Sequence, residues 1–299
     1  YNYNIHLTTD SDCEIIIQLY IKIGIEKTIK LLDGVFSFII YDTNIDKLLI
    51  GRDPFGVRPL YYFKEENNYG FSSDLKVLYN LCDNKYNIKN FEPGNYFSII
   101  LNSEYNNVIN FDNIIYYQIP EYNLVINNNT KYNSLIYTEN ILYNTIVELL
   151  KSSVYKRVID TCERPIACLL SGGLDSSLIA ALVSEYLKTN NKKLATFSIG
   201  LKDSEDLKYA KKVAEHINSD HTEIELTEDD FFNSIPEVIY NIESYDTTTV
   251  RASVGNYLIG KYIKQNTVYK VIFNGDGADE LMGGYLYFRK CPNYNEFND

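Results

Sequence analysis

The sequence contains few of the residues from which disulfide frameworks and zinc sites are built. Its five cysteines are odd in number, widely spaced and without a C-x-x-C pair, and it has only three histidines and no tryptophan. This pattern fits a reducing compartment and argues against a disulfide framework or a zinc site. No apolar run approaches the roughly 20 residues that a membrane-spanning helix needs, and residues 1–9 do not resemble a signal peptide. We therefore expect a soluble, cytoplasmic protein.

Basic residues are also in the minority. The 28 Lys and Arg residues are set against 40 Asp and Glu residues, which gives a net charge of −12. A protein with this charge repels the phosphates of nucleic acid, so a nucleic-acid partner is not expected. The length of 299 residues suggests two domains. Because Met282 is the only methionine, we expect the chain to be processed or to be a fragment.

The first part of the chain indicates an antiparallel domain with some helix. Residues 12–20 fit a short helix, and a loop punctuated by Gly and Pro covers residues 53–59. Strands in an antiparallel meander are predicted at residues 31–41 (a buried one), 47–51, 60–63 and 69–72. An Asn-rich segment with weak periodicity follows, and a domain boundary is predicted near its end. The predicted domains are residues 1–134 and 135–299.

After this boundary, strands alternate with helices. Buried or half-buried strands are predicted at residues 166–170, 194–199, 221–226 and 268–273. Helices are predicted at residues 138–158, 178–187, 204–217, 231–240 and 250–263. This alternation predicts an α/β fold with a doubly wound, mostly parallel sheet, in which ligands bind beyond the carboxyl ends of the strands.

The sharpest motif is S-G-G-L-D-S-S at residues 171–177, between the strand at 166–170 and a helix. Two glycines permit a tight turn that brings backbone amides close to an anion, and the helix start adds unpaired N–H groups. The motif therefore predicts a phosphate site, with Asp175 as a Mg²⁺ ligand. It lacks the lysine of a Walker A loop, which argues against a kinase or GTPase. The alternative is a turn that uses Ser, Gly and Asp only for capping.

This motif resembles the pyrophosphate loop of ATP pyrophosphatases, which adenylate a substrate and release pyrophosphate. Further stretches resemble the synthetase domain of glutamine-hydrolysing asparagine synthetases in order and spacing: residues 197–201, 204–217, 243–253 and 274–288. Others resemble the glutamine amidotransferase domain of that family: residues 11–14, 32–42 and 51–61. The chain is thus identified as a member of this family. The resemblance implies a partial N-terminal-nucleophile amidotransferase domain of α+β type, followed by a partial ATP-pyrophosphatase domain.

The resemblance also implies a reaction. In the family, ATP and aspartate form β-aspartyl-AMP with loss of pyrophosphate, and ammonia from glutamine then gives asparagine and AMP. The expected cofactors are ATP and Mg²⁺, and the expected partners are small-molecule substrates. A homodimer is left open. Such a reaction requires hydrogen-bond donors and a cation that offset the negative charge of the phosphates and the carboxylate, in a site that excludes water.

Site residues follow from the matching motif positions. The residues that would hold pyrophosphate are Ser171, Gly172, Gly173, Asp175 and Ser176. Leu170 and Ile199 would line the nucleotide site, and Asn274 and Gly275 would meet the adenosine through backbone groups. Thr248, Thr249 and Arg251 would lie near aspartate or its adenylate, since a guanidinium pairs a carboxylate or phosphate bidentately. The alternative for these is a helix start with threonine caps.

The remaining assignments concern carboxylates. Asp276, Asp279 and Glu280 form an acidic cluster, in which Asp276 is assigned a catalytic role and Asp279 joins Asp175 as a metal ligand; the alternative is a solvated loop. In the amidotransferase part, Asp12 would hold the amino group of glutamine. Arg52 and Asp53 are interpreted as a structural pair in a hairpin rather than as catalytic groups.

Two departures from the family pattern stand out. The family has Ser-Gly-Glu-Gly-Ser-Asp-Glu, whereas residues 274–280 read Asn-Gly-Asp-Gly-Ala-Asp-Glu. The third-position carboxylate is linked in the family to formation of the intermediate, and Asp276 is one methylene shorter. The chain also begins downstream of the N-terminal cysteine nucleophile and the Asn-Gly oxyanion pair of the family, and Cys13 does not replace that nucleophile. We therefore expect these 299 residues to lack glutaminase activity.

Two other functions remain open at this point. One is a related adenylating amidotransferase that acts on a different carboxylate, such as a β-lactam-forming synthetase. The other is an inactive nucleotide-binding remnant. The product formed from aspartate and ammonia distinguishes the first from an asparagine synthetase, and protection by ATP with Mg²⁺ tests the second.

Overall fold

The computed structural model describes residues 4–9, 11–66, 68–102, 107–118, 139–293 and 296. The chain divides into two compact units, Tyr1–Asn127 and Asn128–Asp299. The domain boundary predicted at residue 134 and most of the Asn-rich segment lie outside the described residues, so the boundary stays a prediction.

The first unit combines short helices with antiparallel strands. Its helices include α1 (Glu14–Ile23), α2 (Ile25–Leu31) and α3 (Leu75–Leu81). Its strands include β1 (Ser37–Asp42), β2 (Lys47–Arg52), β3 (Tyr61–Glu65), β4 (Asn68–Ser72), β5 (Ile88–Asn90), β6 (Asn95–Asn102) and β7 (Asn107–Ile115). A 3₁₀ turn at Lys85–Asn87 precedes β5.

These strands form two sheets, with the orders β1-β2-β6-β7 and β4-β3-β5. The pairing is antiparallel throughout, as expected, but the prediction of a single meander was wrong because β3 and β4 do not join β2. Aromatic rings pack the two sheets together: the ring of Tyr62 on β3 lies edge-on to Phe97 on β6, with centroids 5.0 Å apart. Such contacts join residues distant in sequence, so the apolar pattern alone does not reveal them.

The buried strand predicted at residues 31–41 is also corrected. Leu31 ends helix α2, and β1 begins only at Ser37. Among the described strands β1 pairs with β2 alone and so lies at an edge of its sheet, and Ile39 and Tyr41 are each about half exposed. A continuous apolar run therefore covered the end of a helix and an edge strand rather than one buried strand.

The second unit alternates helices and strands. Its helices include α4 (Glu139–Thr161), α5 (Leu174–Thr189), α6 (Glu205–Ile217), α7 (Glu228–Ile242), α8 (Thr247–Asn266) and α9 (Ala278–Met282), and a 3₁₀ turn covers Leu286–Lys290. Its strands include β8 (Ile166–Leu169), β9 (Ala195–Leu201), β10 (Asp220–Leu226) and β11 (Val271–Phe273). None of the described helices is both long and apolar enough to cross a membrane.

The second unit confirms the predicted fold class. Its sheet has the order β10-β9-β8-β11, and every pairing is parallel. Helices cover both faces: Cys168 of β8 packs in a cluster with residues of α4, α5 and α6, whereas Ala167 packs in a cluster with Ile259 and Ile263 of α8. Since neighbouring residues of β8 point to opposite faces and both are buried, the apolar run IACLL reflects burial on two sides.

The strand predicted at residues 268–273 is shorter and less buried than expected. β11 covers only Val271–Phe273, Val268 is 69% exposed and Ile272 is 37% exposed. Within the described residues β11 pairs with β8 alone, so it lies at an edge. In α4, which matches the helix predicted at residues 138–158, the buried residues Val154 and Val158 likewise lie in the second half of the helix.

His221 is expected to make the free energy of unfolding depend on pH. Its Nδ1 lies 2.9 Å from the Thr196 hydroxyl and its Nε2 lies 3.2 Å from the Ser198 hydroxyl. Burial lowers the pKa of His221 below its usual value. The unfolded chain therefore binds a proton more readily, and we expect the free energy of unfolding to fall as the pH drops below about 6.5.

Urea denaturation at pH 7.5 and pH 5.5 measures this effect. His221→Gln keeps a neutral hydrogen-bonding side chain that cannot take up a proton. Its free energy of unfolding should therefore fall less between pH 7.5 and pH 5.5 than that of the unmodified protein. His216, which is exposed on α6, provides the control: His216→Gln should retain the original pH dependence. Equal slopes for all three proteins would contradict the assignment.

Candidate active site

A short loop connects β8 to α5 at the carboxyl edge of the parallel sheet. The Leu170 amide donates to the carbonyl of Phe197 at 2.8 Å, which ties the loop to β9. The hydroxyls of Ser171 and Ser176 lie 2.9 Å apart, and the Ser171 amide donates to Oγ of Ser176 at 3.2 Å. The two serines therefore close the loop across the first turn of α5.

The start of α5 suits an anion. Gly173 precedes the helix, and no side chain in the described part of the chain caps it. The backbone amides in the first turn of α5 are therefore available to bind a ligand, and the positive end of the helix dipole lies at the same point. Ser177 Oγ is buried and, among the described atoms, has no hydrogen-bond partner. Free amides at a helix start are donors of the kind that bind a phosphate group.

Two glycines fix the backbone around this loop. Gly172 has φ +82°, and a β-carbon placed on it would lie 2.5 Å from the amide nitrogen of Ala210 on α6. Gly275, which follows β11, is equally restricted: a β-carbon there would lie 2.7 Å from the amide nitrogen of Ser176. The segment after β11 therefore lies in backbone contact with the start of α5.

Most of the predicted nucleotide-site residues lie at this edge. β8 is flanked by β9 on one side and β11 on the other, so the ends of three parallel strands meet around the loop. The residues brought to this edge are Leu170, Ser171, Gly172, Gly173, Asp175, Ser176, Ile199, Asn274, Gly275 and Asp276. Helix α8 lies beside the end of β9, since a β-carbon on Gly255 would be 4.0 Å from Ile199 Cγ2.

Thr248 and Arg251 lie in the first turns of α8, where both are exposed. The preceding Asp246 caps the helix: its Oδ1 accepts from the amide and the hydroxyl of Thr249, each at 2.8 Å. These hydrogen bonds lower the pKa of Asp246. The helix start is therefore capped by Asp246 and not by a threonine, and Thr248, Thr249 and Arg251 are all exposed.

Sequence reasoning missed an apolar groove beside Arg251. It has a volume of about 670 Å³ and is lined mainly by side chains of α7 and α8, with Leu201 at the end of β9. Phe231, Ile235 and Ile239 line it from α7. Their i, i+4, i+8 spacing is a signal that could have indicated a shared helix face. The groove therefore places apolar side chains beside Arg251.

The acidic residues after β11 do not converge on one point. Nδ2 of Asn274 donates to Oδ2 of Asp276 at 2.6 Å, and the Tyr285 hydroxyl donates to Oε1 of Glu280 at 2.5 Å. The second bond lowers the pKa of Glu280 and raises the pKa of Tyr285 to about 12. Asp279 packs against Gly284, where any β-carbon would collide with its carboxylate. Each of the three carboxylates thus contacts a different residue.

This arrangement bears on magnesium. Among the described residues, no group of three His, Cys, Asp or Glu side chains could hold a metal ion. Mg²⁺ at nucleotide sites is commonly bound by only one or two carboxylates together with phosphate oxygens and water. Asp175, in the first turn of α5, and Asp279, in the first turn of α9, fit that mode of binding.

The predicted site residue of the first unit is Asp12. It is exposed and lies in the turn directly before α1. Glu14 fixes this turn, since its carboxylate accepts hydrogen bonds from the amides of Thr8 and Thr9 at 2.9 and 2.7 Å. The hydrogen bonds, of which that from the Thr9 hydroxyl is the strongest cause, lower the pKa of Glu14 to about 2.

The structural interpretation of Arg52 and Asp53 agrees with their surroundings. Both are buried, at 6% and 1% exposure. Arg52 donates to the carbonyls of Gly56 and Arg58, each at 2.7 Å, and Asp53 accepts from the amides of Val57 and Arg58, each at 3.0 Å. They hold the loop at residues 53–59 through its backbone. Among the described residues no ion pair joins them, and the flanking strands β2 and β3 lie in different sheets, so the predicted pairing within a hairpin was wrong.

Comparison with known families identifies the chain. A family model described as asparagine synthase matches residues 145–298, and one described as a glutamine amidotransferase domain matches residues 2–134. The chain belongs to the asparagine synthase family. The asparagine synthase match includes the loop at residues 171–177, the start of α8 and residues 274–280, while the amidotransferase match includes both antiparallel sheets.

Curated relatives agree with this assignment. The chain is 41% identical over 291 residues to the glutamine-hydrolysing asparagine synthetase of Homo sapiens, covering 95% of this chain and 51% of that protein. It is 40% identical over 299 residues to that of Bos taurus, covering 98% of this chain and 53% of that protein. The chain thus spans about half the length of the curated relatives it matches.

Solved structures with some similarity are more distant. An NH3-dependent NAD synthetase from Campylobacter jejuni is 19% identical with a TM-score of 0.34, covering 48% of this chain and 60% of that chain. A glutamine-dependent NAD+ synthetase from Acinetobacter baumannii is 12% identical with a TM-score of 0.35, covering 67% and 34%. The family assignment therefore rests on the sequence matches.

The contact of Gly172 with α6 generates a test of the loop geometry. Gly172→Ala introduces a β-carbon at positive φ against the backbone of α6, so we expect it to lower the free energy of unfolding by about 1–3 kcal/mol. Gly260→Ala is the matched control, because Gly260 lies within α8 with open space around its α-carbon; it should stabilise the protein by about 0.5–1 kcal/mol. Urea denaturation measures both, and equal effects would contradict the described packing.

Proposed function

We propose that the whole protein converts aspartate to asparagine with ATP, through β-aspartyl-AMP, using ammonia released from glutamine. The observation that supports this most directly is the backbone contact between Gly275 and the start of α5. It joins the phosphate loop and the Asn274–Asp276 segment at one edge of the sheet, within the part of the chain that matches the asparagine synthase family.

In the first step, an oxygen of the aspartate side-chain carboxylate attacks the α-phosphorus of ATP. The bond from that phosphorus to the bridging oxygen breaks, and pyrophosphate leaves with the bonding electrons. The free amides at the start of α5 and the hydroxyls of Ser171 and Ser176 bind the departing charge. Leu170 and Ile199 line the nucleotide, and Asn274 and Gly275 meet the adenosine through backbone groups.

In the second step, the ammonia nitrogen attacks the activated carbonyl carbon, AMP leaves, and the nitrogen loses a proton to give the amide. Thr248 and Arg251 hold the substrate carboxylate or the phosphate of the adenylate, and Asp276 acts at the reacting centre. Asp175 and Asp279 would hold Mg²⁺, which when bound neutralises phosphate charge. Asp12 would bind the amino group of glutamine in the amidotransferase part.

Location and assembly are part of the same proposal. All five cysteines are free, which supports a reducing compartment and hence the cytoplasm. A homodimer remains a prediction, which light scattering of the whole protein tests directly. Mass spectrometry of the product tests the reaction: asparagine formed from aspartate, ATP and ammonia is expected, and a cyclised product or no amide would contradict the proposed function.

Asp175 generates a test of magnesium binding. Asp175→Asn removes the charge that holds the cation, so we expect the affinity for ATP with Mg²⁺ to fall about tenfold or more, with little change when Mg²⁺ is left out. Asp206→Asn is the matched control, because Asp206 lies in the first turn of α6 and has the same relation to its helix dipole. Calorimetric titration measures both variants. An Asp175→Asn protein with unchanged magnesium-dependent affinity would exclude this role.

Arg251 generates a test of substrate binding. A lysine cannot pair a carboxylate bidentately, so Arg251→Lys should raise the KM for aspartate about tenfold while the KM for ATP changes little. Arg157→Lys, on the exposed side of α4, serves as the control and should leave both constants unchanged. Steady-state assays of pyrophosphate release measure them. A rise in the KM for ATP alone would instead indicate that Arg251 binds the nucleotide.

A further inference from the structure

Two departures from the family pattern contact each other in this chain. Position one of the family motif is Ser and position three is Glu, whereas this chain has Asn274 and Asp276. The amide Nδ2 of Asn274 donates to Oδ2 of Asp276 at 2.6 Å. A neutral amide that donates to a charged carboxylate forms a charge-assisted hydrogen bond, which is stronger than one between neutral groups.

The lengths of the two side chains change in opposite directions. Aspartate lacks one methylene of glutamate, so its carboxylate lies about 1.5 Å closer to its own backbone, the length of one carbon–carbon bond. Asparagine carries its donor one atom further from the backbone than serine carries its hydroxyl. A longer donor at Asn274 therefore accompanies a shorter acceptor at Asp276.

The backbone has little freedom to compensate for the missing methylene. Gly275 packs on the start of α5, where a β-carbon would lie 2.7 Å from the Ser176 amide nitrogen. On the other side, Gly277 adopts φ +90°, and its carbonyl accepts from the Leu281 amide at 3.1 Å in the first turn of α9. Asp276 lies between these two fixed glycines, so the direction of its carboxylate depends on the side chain.

We propose that Asn274 is a positioning residue for Asp276 in the adenylation step. Its side-chain amide holds Oδ2 of the shorter carboxylate in place and leaves Oδ1 to meet the reacting groups. This inference rests on the proposed function, and it adds a role for the Asn274 side chain to the backbone role assigned above. Positions one and three of the motif are then coupled, and the pair Asn and Asp replaces the pair Ser and Glu as a unit.

A double-mutant cycle in the whole protein tests the coupling. Asn274→Ser leaves Asp276 without its partner, and Asp276→Glu places a longer carboxylate against the asparagine. Each single variant should therefore lower kcat for aspartate-dependent pyrophosphate release about tenfold, with the KM for ATP nearly unchanged. The double variant carries the family pair and should return to within about threefold of the unmodified protein. Single effects that simply multiply in the double variant would overturn the proposal.

A second readout does not depend on turnover. In an isotope-labelled protein, one side-chain amide proton of Asn274 should resonate downfield of the other, because it is donated to Asp276. Asp276→Ala should remove this shift. Glu280→Gln is the control for these signals, since Glu280 bonds to Tyr285 instead, and it should leave the Asn274 signals in place.

The two readouts separate the two proposals. If the unmodified protein forms no adenylate while the Asn274 signals respond to Asp276→Ala, the proposed function fails and the side-chain contact stands. If adenylate forms but the Asn274 signals do not respond to Asp276→Ala, the proposed function stands and the positioning role is wrong.

Discussion

The close approach of Gly275 to the first turn of α5 is the contact on which the rest of the site depends. A β-carbon there would lie 2.7 Å from the Ser176 amide nitrogen and 2.9 Å from the carbonyl carbon of Asp175. Because β8 and β11 are parallel neighbours, the segments that follow them emerge at the same edge, and a glycine allows them to touch. The donors of the loop and the segment that follows β11 therefore lie at the same edge of the sheet.

Local chemistry made part of this predictable from sequence. The helix predicted at residues 204–217 is α6, and its N-cap Ser204 accepts from the Leu207 amide at 3.5 Å, because capping involves residues only three apart. The same holds for the loop at residues 171–177, where turn, strand and helix start are contiguous in sequence. The parallel topology followed from the alternation of strands and helices, and the family resemblance supplied the residue roles that remain proposals.

What sequence did not predict depends on contacts between distant residues. The apolar residues at 268–273 could not reveal that β11 lies at an edge, since that depends on which strands pair. Two antiparallel sheets instead of one meander follow from aromatic packing such as Tyr62 against Phe97. The groove beside Arg251 arises where α7 packs on α8, and the contact of Asn274 with Asp276 requires a particular side-chain rotamer on each residue.

The carboxylates after β11 show how an acidic segment can be stable before any cation binds. The Tyr285 hydroxyl donates to Glu280 and lowers its pKa, and the carboxylate of Asp276 accepts from the neutral amide of Asn274. Neutral donors thus offset the charge locally, and no three-carboxylate cage forms among the described residues. Such a segment has few protein ligands to offer a free cation. The proposed magnesium ion would therefore take most of its ligands from the phosphates of the nucleotide and from water.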